Sequence, residues 1–583
     1  MDNSEIAKIL REIAGYLEMQ EELVFKVKAY DKAAQTIGSL KEPVVDIYSR
    51  GGVKALTEIP GVGQGIAERI EELLKTGKLK YYQQLKKKAP VDLSELLAVE
   101  GLGPKNIKKL YQKLGITNLR ELERKARKGR IRQLEGFGIK SEQKILRAIE
   151  FLEKSSGRFL LGSIISIIRD IEARLKKLRF VKKVVVAGSF RRRKETIGDI
   201  DWLVTAASEK DTERISEFFV KLPEVKAVIA QGPTKSMVRL KNGLGMDLRV
   251  VPEESYGAAL NYFTGSKDHN VAMRQIAIEK GMKLNEYGLF RGKRRVAGKT
   301  EAEIYEKLGL RYIEPELREM TGEIEAAREN KLPNLIGFKD LKGDLQVQTN
   351  WTDGAHSIEA MAQAAVAAGL EYIAITDHTK RLAMTGGLNE KQVLKQGEEI
   401  DRINSRLRQG FGGQAKFRIL KGSECDILKD GSMDLEDEAL AKLDVVGGSI
   451  HSYFNLPKAE QTKRLIRAMR NPHVDIIFHP NGRIINQRPA YELDWDEIIK
   501  VAKETGTVIE INAYPDRLDI WDELIRKCVT AGVKMAIDSD GHSQHHFSVL
   551  EYGIAQARRG WASKNDIINV WPVEKMLKML KNR

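Results

Sequence analysis

Cysteine is nearly absent from this 583-residue chain, which contains only Cys425 and Cys528. Two cysteines this far apart, without a C-x-x-C pair, exclude a disulfide scaffold and a zinc ribbon. The sequence also lacks any run of 18 apolar residues, and its first helical pattern has early acids instead of a basic start and an apolar core. Neither secretion nor membrane insertion is expected, and a reducing cytoplasm is the expected location.

Acidic residues are also in deficit, since 82 Asp and Glu face 98 Lys and Arg, for a formal net charge of +16. A basic balance of this size favours a polyanionic partner, because neutralised phosphates release their counterions. The length predicts three to five domains of about 100 to 200 residues each. The composition therefore indicates a multi-domain protein with a polyanionic partner.

Two carboxylates alternate in the stretch GSFRRRKETIGDIDWLV, which begins at Gly188. On a strand that rises roughly 3.3 Å per residue, Asp199 and Asp201 project from one face about 7 Å apart. The run from Met237 to Val251 alternates in the same way, which predicts a neighbouring strand with Asp247 facing the same site. Three carboxylates on one face predict a site for two hard divalent cations, as suits phosphoryl transfer.

The residues just before this pair form a basic turn. Gly188 and Ser189 follow an apolar run and precede Arg191, Arg192 and Arg193. A tight turn there would present backbone donors and guanidinium groups to an anion. Either element alone would equally suit an exposed acidic edge strand beside a solvated basic turn. The combination indicates a cradle for a triphosphate next to the cation site.

Together these motifs resemble the family X DNA polymerases, the group that includes DNA polymerase beta. The resemblance implies that Asp199 and Asp201 bind two Mg²⁺ or Mn²⁺ ions, and that Asp247 binds the catalytic ion and assists loss of the primer 3'-hydroxyl proton. It also implies that the phosphates of the incoming nucleotide lie against four residues of the turn: Gly188, Ser189, Arg192 and Gly198.

A third match is the stretch YFTGSKDHNVAMRQIAIEKGMKLNEYGLF, which resembles the nucleotide-binding thumb of the same family. By resemblance, Tyr262, Phe263 and Gly265 form a wall against the deoxyribose, Asn270 reaches the minor-groove edge of the base, and Arg274 touches the template. An aromatic pair packed under a sugar leaves a 2'-hydroxyl without space or a partner. Taken alone, the two aromatic residues would more often belong to a core.

Three segments near the N-terminus share an apolar lead, a G-x-G turn and an amphipathic helix: EIPGVGQGIAERI, AVEGLGPKNIKKL and QLEGFGIKSEQKIL. Such turns present backbone amides at a helix start and bind phosphate without reading bases. Helix-packing turns in an all-helical domain are the alternative. The segments resemble helix-hairpin-helix elements, and the first two occupy the places that this family uses to hold DNA strands. The implied DNA contacts are at Gly61, Gly63, Gly101 and Gly103.

The segment FKVKAYDKAAQTI resembles the amino-terminal domain of the family, where Lys26 and Tyr30 match groups that hold a 5'-phosphate. One position departs from the pattern. The family's sugar-phosphate lyase uses a lysine as its Schiff-base nucleophile, and the matching residue here is Arg69. A guanidinium stays protonated and cannot serve as that nucleophile. Lyase activity is therefore predicted to be weak or absent.

The last part of the chain, residues 336–583, holds eight of the nine histidines. Short apolar runs alternate with helical patterns, which predicts a parallel barrel with polar residues at the carboxyl ends of its strands. This part resembles the polymerase and histidinol phosphatase (PHP) domain, a metal-dependent phosphoesterase module. The resemblance implies a trinuclear site of Zn²⁺ or Mn²⁺, with seven ligands: Asp353, His378, Glu424, His451, His479, Asp540 and His542.

The first PHP motif departs from the family pattern, because Gln346 and Gln348 replace the two histidines of H-x-H. A carboxamide is a weaker donor to these metals, and even outer-sphere losses cost about 10- to 100-fold in affinity or activity. At least one metal should be impaired, which predicts low nuclease activity. A remnant site with two metals is the alternative to complete loss. Four further histidines are interpreted as satisfied surface or core residues: His356, His473, His545 and His546.

The predicted fold is a multi-domain α+β and α/β protein, with a helix-hairpin-helix region, a beta-type nucleotidyltransferase palm with a thumb, and a distorted (β/α) barrel of PHP type. The expected divisions are a DNA-end-binding domain at 1–90, fingers at 91–155, and what we call the palm segment (156–257), the thumb segment (258–335) and the PHP segment (336–583).

The predicted activity is templated addition of deoxynucleotides to a primer, filling short gaps during DNA repair. The expected partners are gapped or primer-template DNA and dNTPs, and the chain is expected to act as a monomer. Three alternatives remain open at this stage. The PHP segment retains a manganese-dependent 3'-5' exonuclease or abasic-site endonuclease, the chain is a non-catalytic DNA-end-binding scaffold, or nucleotide addition is independent of a template.

Overall fold

A computed structural model of the chain describes residues 3–40, 43–97, 99, 102–155, 157–382, 385–410 and 417–582. Gly101, one of the predicted DNA contacts, lies outside these residues. Within the described ranges, no helix combines the length and apolar character needed to cross a membrane.

The N-terminal part is helical. Its apolar residues form one shared core that extends from Ile6 to Ile149, and the Tyr16 hydroxyl donates to the carbonyl of Val91 at 2.8 Å. The two predicted helical domains therefore pack as one unit. The helices are α1 (Asn3–Met19), α2 (Val24–Ser39), α3 (Val44–Thr57), α4 (Gln64–Thr76), α5 (Lys80–Lys88), α6 (Leu93–Leu97), α7 (Pro104–Leu114), α8 (Leu119–Arg127) and α9 (Ile139–Ser155).

The palm segment is built on a five-stranded sheet. Its elements are β1 (Phe159–Leu160), α10 (Leu161–Lys176), β2 (Val181–Val186), α11 (Gly188–Arg191), β3 (Thr196–Ile197), β4 (Asp199–Ala206), α12 (Asp211–Val220), β5 (Val225–Gln231), β6 (Lys235–Leu240) and β7 (Gly245–Val250). The strand order is β2-β4-β7-β6-β5, and β4 and β7 run parallel. Along β4, Ile200 and Trp202 are buried in the core with α10 and α12. The alternation leaves Asp199 and Asp201 on the opposite face.

The thumb segment contains α13 (Tyr256–Thr264), α14 (Lys267–Glu279), β8 (Lys283–Asn285), β9 (Gly288–Arg291), β10 (Arg294–Ala297), α15 (Glu301–Lys307) and α16 (Glu323–Arg328). A buried ion-pair network fixes it to the palm segment. Glu301 accepts from Arg318 at 2.6 Å and from Arg191 of the palm turn at 2.6 Å. Arg318 is completely buried, so this carboxylate balances a cation that water does not reach.

His269 of α14 should make stability depend on pH. Its ring is fully buried, with Nδ1 2.8 Å from Glu323 and Nε2 2.9 Å from the Tyr305 hydroxyl. Burial lowers the pKa of His269 from its ordinary value of 6.5, against the opposing effect of Glu323. Because the unfolded chain then binds a proton more readily than the folded one, stability should fall as pH drops below about 6.5. Thermal unfolding from about pH 7.5 to about pH 5 measures this trend.

The matched variants are His269→Gln and His473→Gln. His473 is half-buried in the PHP segment, so its replacement removes one imidazole without changing the contacts of His269. His269→Gln should make the dependence shallower, whatever it does to the melting temperature at neutral pH. If the melting temperature changed equally with pH in the parent and in both variants, His269 would not be the cause of the pH dependence.

The PHP segment forms the predicted barrel. Its strands are β11 (Gly343–Val347), β12 (Tyr372–Ile375), β13 (Arg418–Asp426), β14 (Val445–Ser449), β15 (Ile476–Ile477), β16 (Val508–Asn512) and β17 (Met535–Asp538). Its helices are α17 (Ile358–Ala367), α18 (Glu390–Gly410), α19 (Asp437–Leu440), α20 (Lys458–Met469), α21 (Trp495–Thr505), α22 (Asp522–Ala531), α23 (Leu550–Arg559) and α24 (Val573–Lys581).

The seven strands are parallel and lie in sequence order. The amide of Gln348 donates to Gly541 at 3.0 Å, and the amide of Gly541 donates to Gln346 at 3.1 Å. These bonds join the first strand to the residues after the last one, so the sheet is nearly closed. The prediction of a parallel barrel is confirmed.

The PHP segment packs directly on the palm and thumb segments. Arg169 of α10 binds Glu551 of α23 with both guanidinium nitrogens, at 2.9 and 2.6 Å. Arg559 at the end of α23 lies 3.1 Å from Glu319, just before α16. Apolar residues of the barrel also enter the other two cores, namely Ile485, Leu518 and Tyr552 in the palm and Trp561 in the thumb.

Candidate active sites

The three predicted carboxylates lie on adjacent strands of the palm sheet. In the register of β4 and β7, Asp201 is directly opposite Asp247, and Asp199 is opposite Gly245. Burial, then the charges of Asp199 and Asp247, raises the pKa of Asp201 to about 7, and burial raises the pKa of Asp247 as well. Arg249 lies near both carboxyl groups and lowers their pKa values, but burial outweighs it, so the positive charge at this site does not balance the carboxylates. The donor set therefore fits divalent metal ions, which would displace those protons.

The turn before β4 lies against these carboxylates. Gly188 has a φ of +62°, and a Cβ placed on it would lie 2.4 Å from Oδ2 of Asp201. Both observations require glycine at this position. The amide of Ala187 donates to the carbonyl of Asp201 at 2.7 Å. Ser189 is therefore held at the start of α11, next to the carboxylates.

Arg192, a predicted phosphate ligand, is held by the thumb segment. Its Nε donates to Oε1 of Glu319 at 2.9 Å, and its Nη1 donates to the carbonyl of Thr264. Arg559 of the PHP segment donates to the carbonyl of Arg192 at 3.0 Å. A Cβ on Gly265 would lie 3.1 Å from Nη1 of Arg192. The three segments therefore meet at Arg192, the thumb segment at its guanidinium and the PHP segment at its carbonyl.

The predicted sugar-binding residues gather where α13 meets α14. The rings of Tyr262 and Phe263 lie edge to face, with centroids 5.2 Å apart, and Nδ2 of Asn270 donates to the carbonyl of Tyr262 at 2.6 Å. Arg274 is half-buried further along α14. Arg249, which the sequence analysis did not identify, lies 5.3 Å over the ring of Phe263. Its position two residues after Asp247 on β7 was the available signal.

The predicted DNA contacts of the helical region differ in accessibility. Gly63 and Gly103 are the N-cap residues of α4 and α7, so the amides of the first helical turn face outward. Gly61 has a φ of +81°, and Lys26 lies 3.4 Å from Glu22. Tyr30 is only 2% exposed.

Arg69 covers Tyr30, with its guanidinium carbon 5.6 Å from that ring and 4.2 Å from the ring of Tyr81. The structure therefore does not bring Tyr30 to the surface where a 5'-phosphate would bind. The aromatic contacts also show that the position of the expected lyase lysine is occupied by a stacked arginine.

In the barrel, two compact groups of ligand atoms occur among the described residues. One consists of Asp353, His378 and His542, and the other of His378, Glu424 and His451. Within each group the ligand atoms lie within 4.8 Å of one another. Nε2 of His479 lies 2.8 Å from Oε1 of Glu424 and extends the second group. His378 is common to both, so the two groups are adjacent.

The electrostatics of these groups indicate missing positive charge. Burial opposes protonation of His451 and His542, yet nearby carboxylates raise their pKa values to about 9 and about 10. Burial would raise the pKa of Glu424, but the surrounding histidines hold it well below the usual range. Two bound cations would replace these protons, and mixed imidazole and carboxylate ligands suit zinc or manganese.

A neighbouring carboxylate orients one of the histidines. Oδ1 of Asp426 lies 3.3 Å from Nδ1 of His451 and accepts from its backbone amide at 3.2 Å. Such a partner fixes the orientation of a metal-binding imidazole. Asp426 was not predicted from the sequence, although it follows Glu424 by two residues on β13.

The two glutamines line the same end of the barrel. Both are completely buried. Nε2 of Gln348 donates to Oε2 of Glu424 at 2.9 Å, and Oε1 of Gln346 accepts from Asn512 at 3.3 Å. The other amide atoms, Nε2 of Gln346 and Oε1 of Gln348, have no hydrogen-bond partner among the described residues.

Asp540 is the last of the predicted metal ligands, and it lies near these glutamines, since Asn512 donates to both Gln346 and Asp540. Its Oδ2 lies 3.3 Å from Nε of Arg517. The third metal ion that the resemblance predicts would therefore meet two carboxamides and a carboxylate that is already paired with Arg517. The residues fit two cations and fit a third poorly.

Of the histidines interpreted as satisfied residues, His546 is buried and accepts from the backbone amide of His542 at 3.1 Å. The interpretation is incomplete, since Nε2 of His546 and Nδ1 of His356 are buried without a hydrogen-bond partner among the described residues.

Comparisons with protein families match five parts of the chain. The family models that match are a helix-hairpin-helix domain at 1–79, a SAM-like helix-hairpin-helix tandem at 93–150, the DNA polymerase beta palm at 164–237, the DNA polymerase beta thumb at 259–319, and the PHP domain at 344–514. The tandem covers the second and third predicted turns.

Individual proteins match as well. The DNA polymerase/3'-5' exonuclease PolX of Bacillus subtilis (strain 168) is 38% identical over 586 residues, covering 100% of both chains. A probable phosphatase of Acetivibrio thermocellus is 31% identical over 194 residues, which are 32% of this chain and 73% of that protein. A crystal structure of Leishmania infantum polymerase beta in a ternary P/T complex matches 39% of this chain and 97% of its own at 27% identity, with a TM-score of 0.26.

Proposed function

Since this chain belongs to the family X DNA polymerases of the PolX type, we propose that it fills short gaps in DNA during repair. The enzyme is a nucleotidyltransferase of a metal-dependent family, and DNA is its partner. The observation that carries the proposal is the register of Asp201 opposite Asp247, with Asp199 on the same face and the Gly188 turn against them.

The three carboxylates would hold two divalent cations, Mg²⁺ or Mn²⁺. When bound, such ions activate the primer 3'-hydroxyl and stabilise the charge on the leaving pyrophosphate. Asp247 would take part in removing the hydroxyl proton, and its position opposite Asp201 on the adjacent strand supports this role. The hydroxyl oxygen attacks the α-phosphorus, and the bond to the β-phosphate breaks with its electron pair leaving on pyrophosphate.

The turn residues position the incoming nucleotide. Ser189 and the backbone at Gly188 and Gly198 would donate to its phosphates. Arg192 would release Glu319 and bind the same phosphates, because one guanidinium group cannot face both anions at once. Glu319 would then remain paired with Arg559.

The thumb segment selects the sugar and the base. Tyr262 and Phe263 would lie under the deoxyribose, where a 2'-hydroxyl would find neither space nor a partner. Asn270 would reach the minor-groove edge of the base, and Arg274 the template strand. The helix-hairpin-helix turns would hold the DNA backbone through their amides, independent of sequence. We expect one chain to bind one gapped duplex.

The PHP segment would hold two cations in place of three. Asp353, His378 and His542 would bind one, and Glu424, His451 and His479 the other. The loss of the H-x-H pair predicts low nuclease activity. A working 3'-5' exonuclease is the second candidate function, since both compact groups are intact and the related Bacillus subtilis protein has that activity in its name.

A paired assay on a labelled primer across a one-nucleotide gap tests both activities. One reaction contains dNTPs and magnesium, and the other contains manganese without dNTPs. Extension in the first without shortening in the second supports a polymerase with a disabled PHP site. Shortening that His451→Ala abolishes would establish the second candidate. Failure to extend a gapped, primed template would overturn the proposed function.

A further inference from the structure

Arg559, the last residue of α23, extends from the barrel to the turn that carries Arg192. Earlier in the same helix, Glu551 binds Arg169 of the palm segment at 2.6 Å, and Tyr552 lies in the palm core. The helix is therefore fixed on the polymerase segments along its length. The side chain of Arg559 is only 3% exposed. A cation this deeply buried requires partners that balance its charge.

The guanidinium of Arg559 has a partner in each of the three segments. Its Nη1 donates to the carbonyl of Arg192 in the palm segment at 3.0 Å, and to Oε1 of Glu319 in the thumb segment at 3.1 Å. Its Nη2 donates to Asp522, the first residue of α22 in the barrel. One branch of the guanidinium thus stays fixed to the barrel while the other holds the palm and the thumb.

Glu319 is shared between two guanidinium groups. Its Oε1 accepts from Nε of Arg192 at 2.9 Å as well as from Arg559. Lys194 is more distant, with Nζ 3.9 Å from Oε2. Burial raises the pKa of Glu319, but Arg559, Arg192 and Lys194 together hold it below its usual value. The side chain is 19% exposed, so this carboxylate depends on its cations more than on water.

This sharing matters when a nucleotide binds. In the proposed function, the side chain of Arg192 leaves Glu319 and turns to the phosphates. Without a second cation at hydrogen-bond distance, that step would leave a largely buried carboxylate poorly compensated, which is unfavourable. Arg559 keeps Glu319 paired, and its bond to the carbonyl of Arg192 holds the backbone in place while the side chain moves.

We propose that Arg559 is a positioning residue of the polymerase reaction, through which the barrel sets the affinity for the incoming nucleotide. It retains Glu319 when Arg192 turns to the phosphates, and it does not touch the nucleotide itself. The inference rests on the proposed function, because the exchange occurs only if Arg192 binds phosphate. It gives the barrel a part in DNA synthesis that is independent of its metal ligands.

Single-turnover extension across a one-nucleotide gap, measured at a series of dNTP concentrations, tests this role. The dependence on concentration separates the Kd of the nucleotide from the maximal rate. Arg559→Gln should raise the Kd about tenfold, the effect of losing one charge-assisted hydrogen bond. The maximal rate should change less than about threefold, because Arg559 acts on binding and does not touch the reacting atoms.

The matched control is Arg558→Gln, one position earlier on the same helix. Arg558 donates to Glu316 at 2.8 Å and to the carbonyl of Ile336 at 2.9 Å. Its replacement weakens the same junction without changing the partners of Glu319, so the Kd of the nucleotide should stay at the value of the parent. Thermal unfolding checks that each variant is folded.

Glu319→Gln distinguishes positioning from a general effect on the junction. It removes the carboxylate that Arg559 keeps paired, so adding Arg559→Gln to this variant should raise the Kd less than about twofold. A purely structural role of Arg559 predicts the same tenfold loss in both backgrounds. Arg559→Lys is a second test that keeps the buried charge. One ammonium group cannot replace the fork toward Asp522 and Glu319, so the Kd should rise about threefold.

An unchanged Kd in the folded Arg559 variants, or an equal loss with and without Glu319, would overturn the inference. Failure of the proposed function has a different result, since the parent protein itself would not extend a gapped primer. A parent that extends primers, and whose affinity for the nucleotide is independent of Arg559, would contradict only the inference.

Discussion

Replacing Asp247 with alanine should reduce primer extension about a thousandfold while leaving the affinity for gapped DNA nearly unchanged. The substitution removes a carboxylate opposite Asp201, and a bound metal ion contributes several kcal/mol of charge stabilisation to phosphoryl transfer. The predicted DNA contacts lie on other segments, so binding should survive. Single-turnover extension of a one-nucleotide gap measures the first quantity, and fluorescence anisotropy measures the second.

The matched control for this variant is Glu209→Ala. Glu209 is an exposed acid of the same segment, between β4 and α12, so its loss removes equal charge without touching the carboxylate site. It should extend primers at the rate of the parent. Retention of extension in Asp247→Ala would show that the carboxylate set is misassigned. Loss of extension with full DNA affinity would eliminate the non-catalytic scaffold.

Restoring both histidines in the barrel, by Gln346→His together with Gln348→His, should raise manganese-dependent nuclease activity by about 10- to 100-fold. The two imidazoles would supply the donors that the third metal position lacks, and losses at metal sites have effects of this size. The metal content of the dialysed protein, measured by mass spectrometry, should rise from two to three ions per PHP segment. Shortening of a labelled primer without dNTPs measures the activity.

Adding His451→Ala to the double variant provides its control. His451 belongs to a ligand group that the restored histidines leave unchanged, so the triple variant should lose the gained activity. An unchanged metal content in the double variant would show that Arg517 or the barrel backbone, and not the glutamines, prevents a third ion from binding.

The fold was largely predictable because its signals are local. Alternation predicted β4 in the palm segment, and alternating strand and helix patterns predicted the barrel. The single strand predicted over the run from Met237 to Val251 was wrong, because the chain turns after β6 and returns antiparallel as β7. The joining of the two helical domains in one core was not predictable. Apolar faces show that a helix packs, but they do not specify which neighbour it packs against.

In the candidate sites too, contacts within one strand could be predicted from the sequence, but contacts between segments could not. Asp199, Asp201 and Asp247 follow from a period of two, and the same rule would have found Arg249 and Asp426. No local pattern links Arg192 to Glu319, which lies 127 positions later. The burial of Tyr30 under Arg69 likewise depends on the packing of separate helices. Contacts between segments depend on how the segments are placed relative to one another, and the resemblance of a single motif gives no information about that placement.

The junction between the barrel and the other segments has a consequence for the history of this chain. Ile485, Leu518, Tyr552 and Trp561 complete the cores of the palm and thumb, and exposing one such side chain costs about 1.5 to 3 kcal/mol. A polymerase that discarded its barrel would lose stability that has nothing to do with hydrolysis. Selection for DNA synthesis alone would therefore preserve all seven strands, while the ligands inside them were free to change.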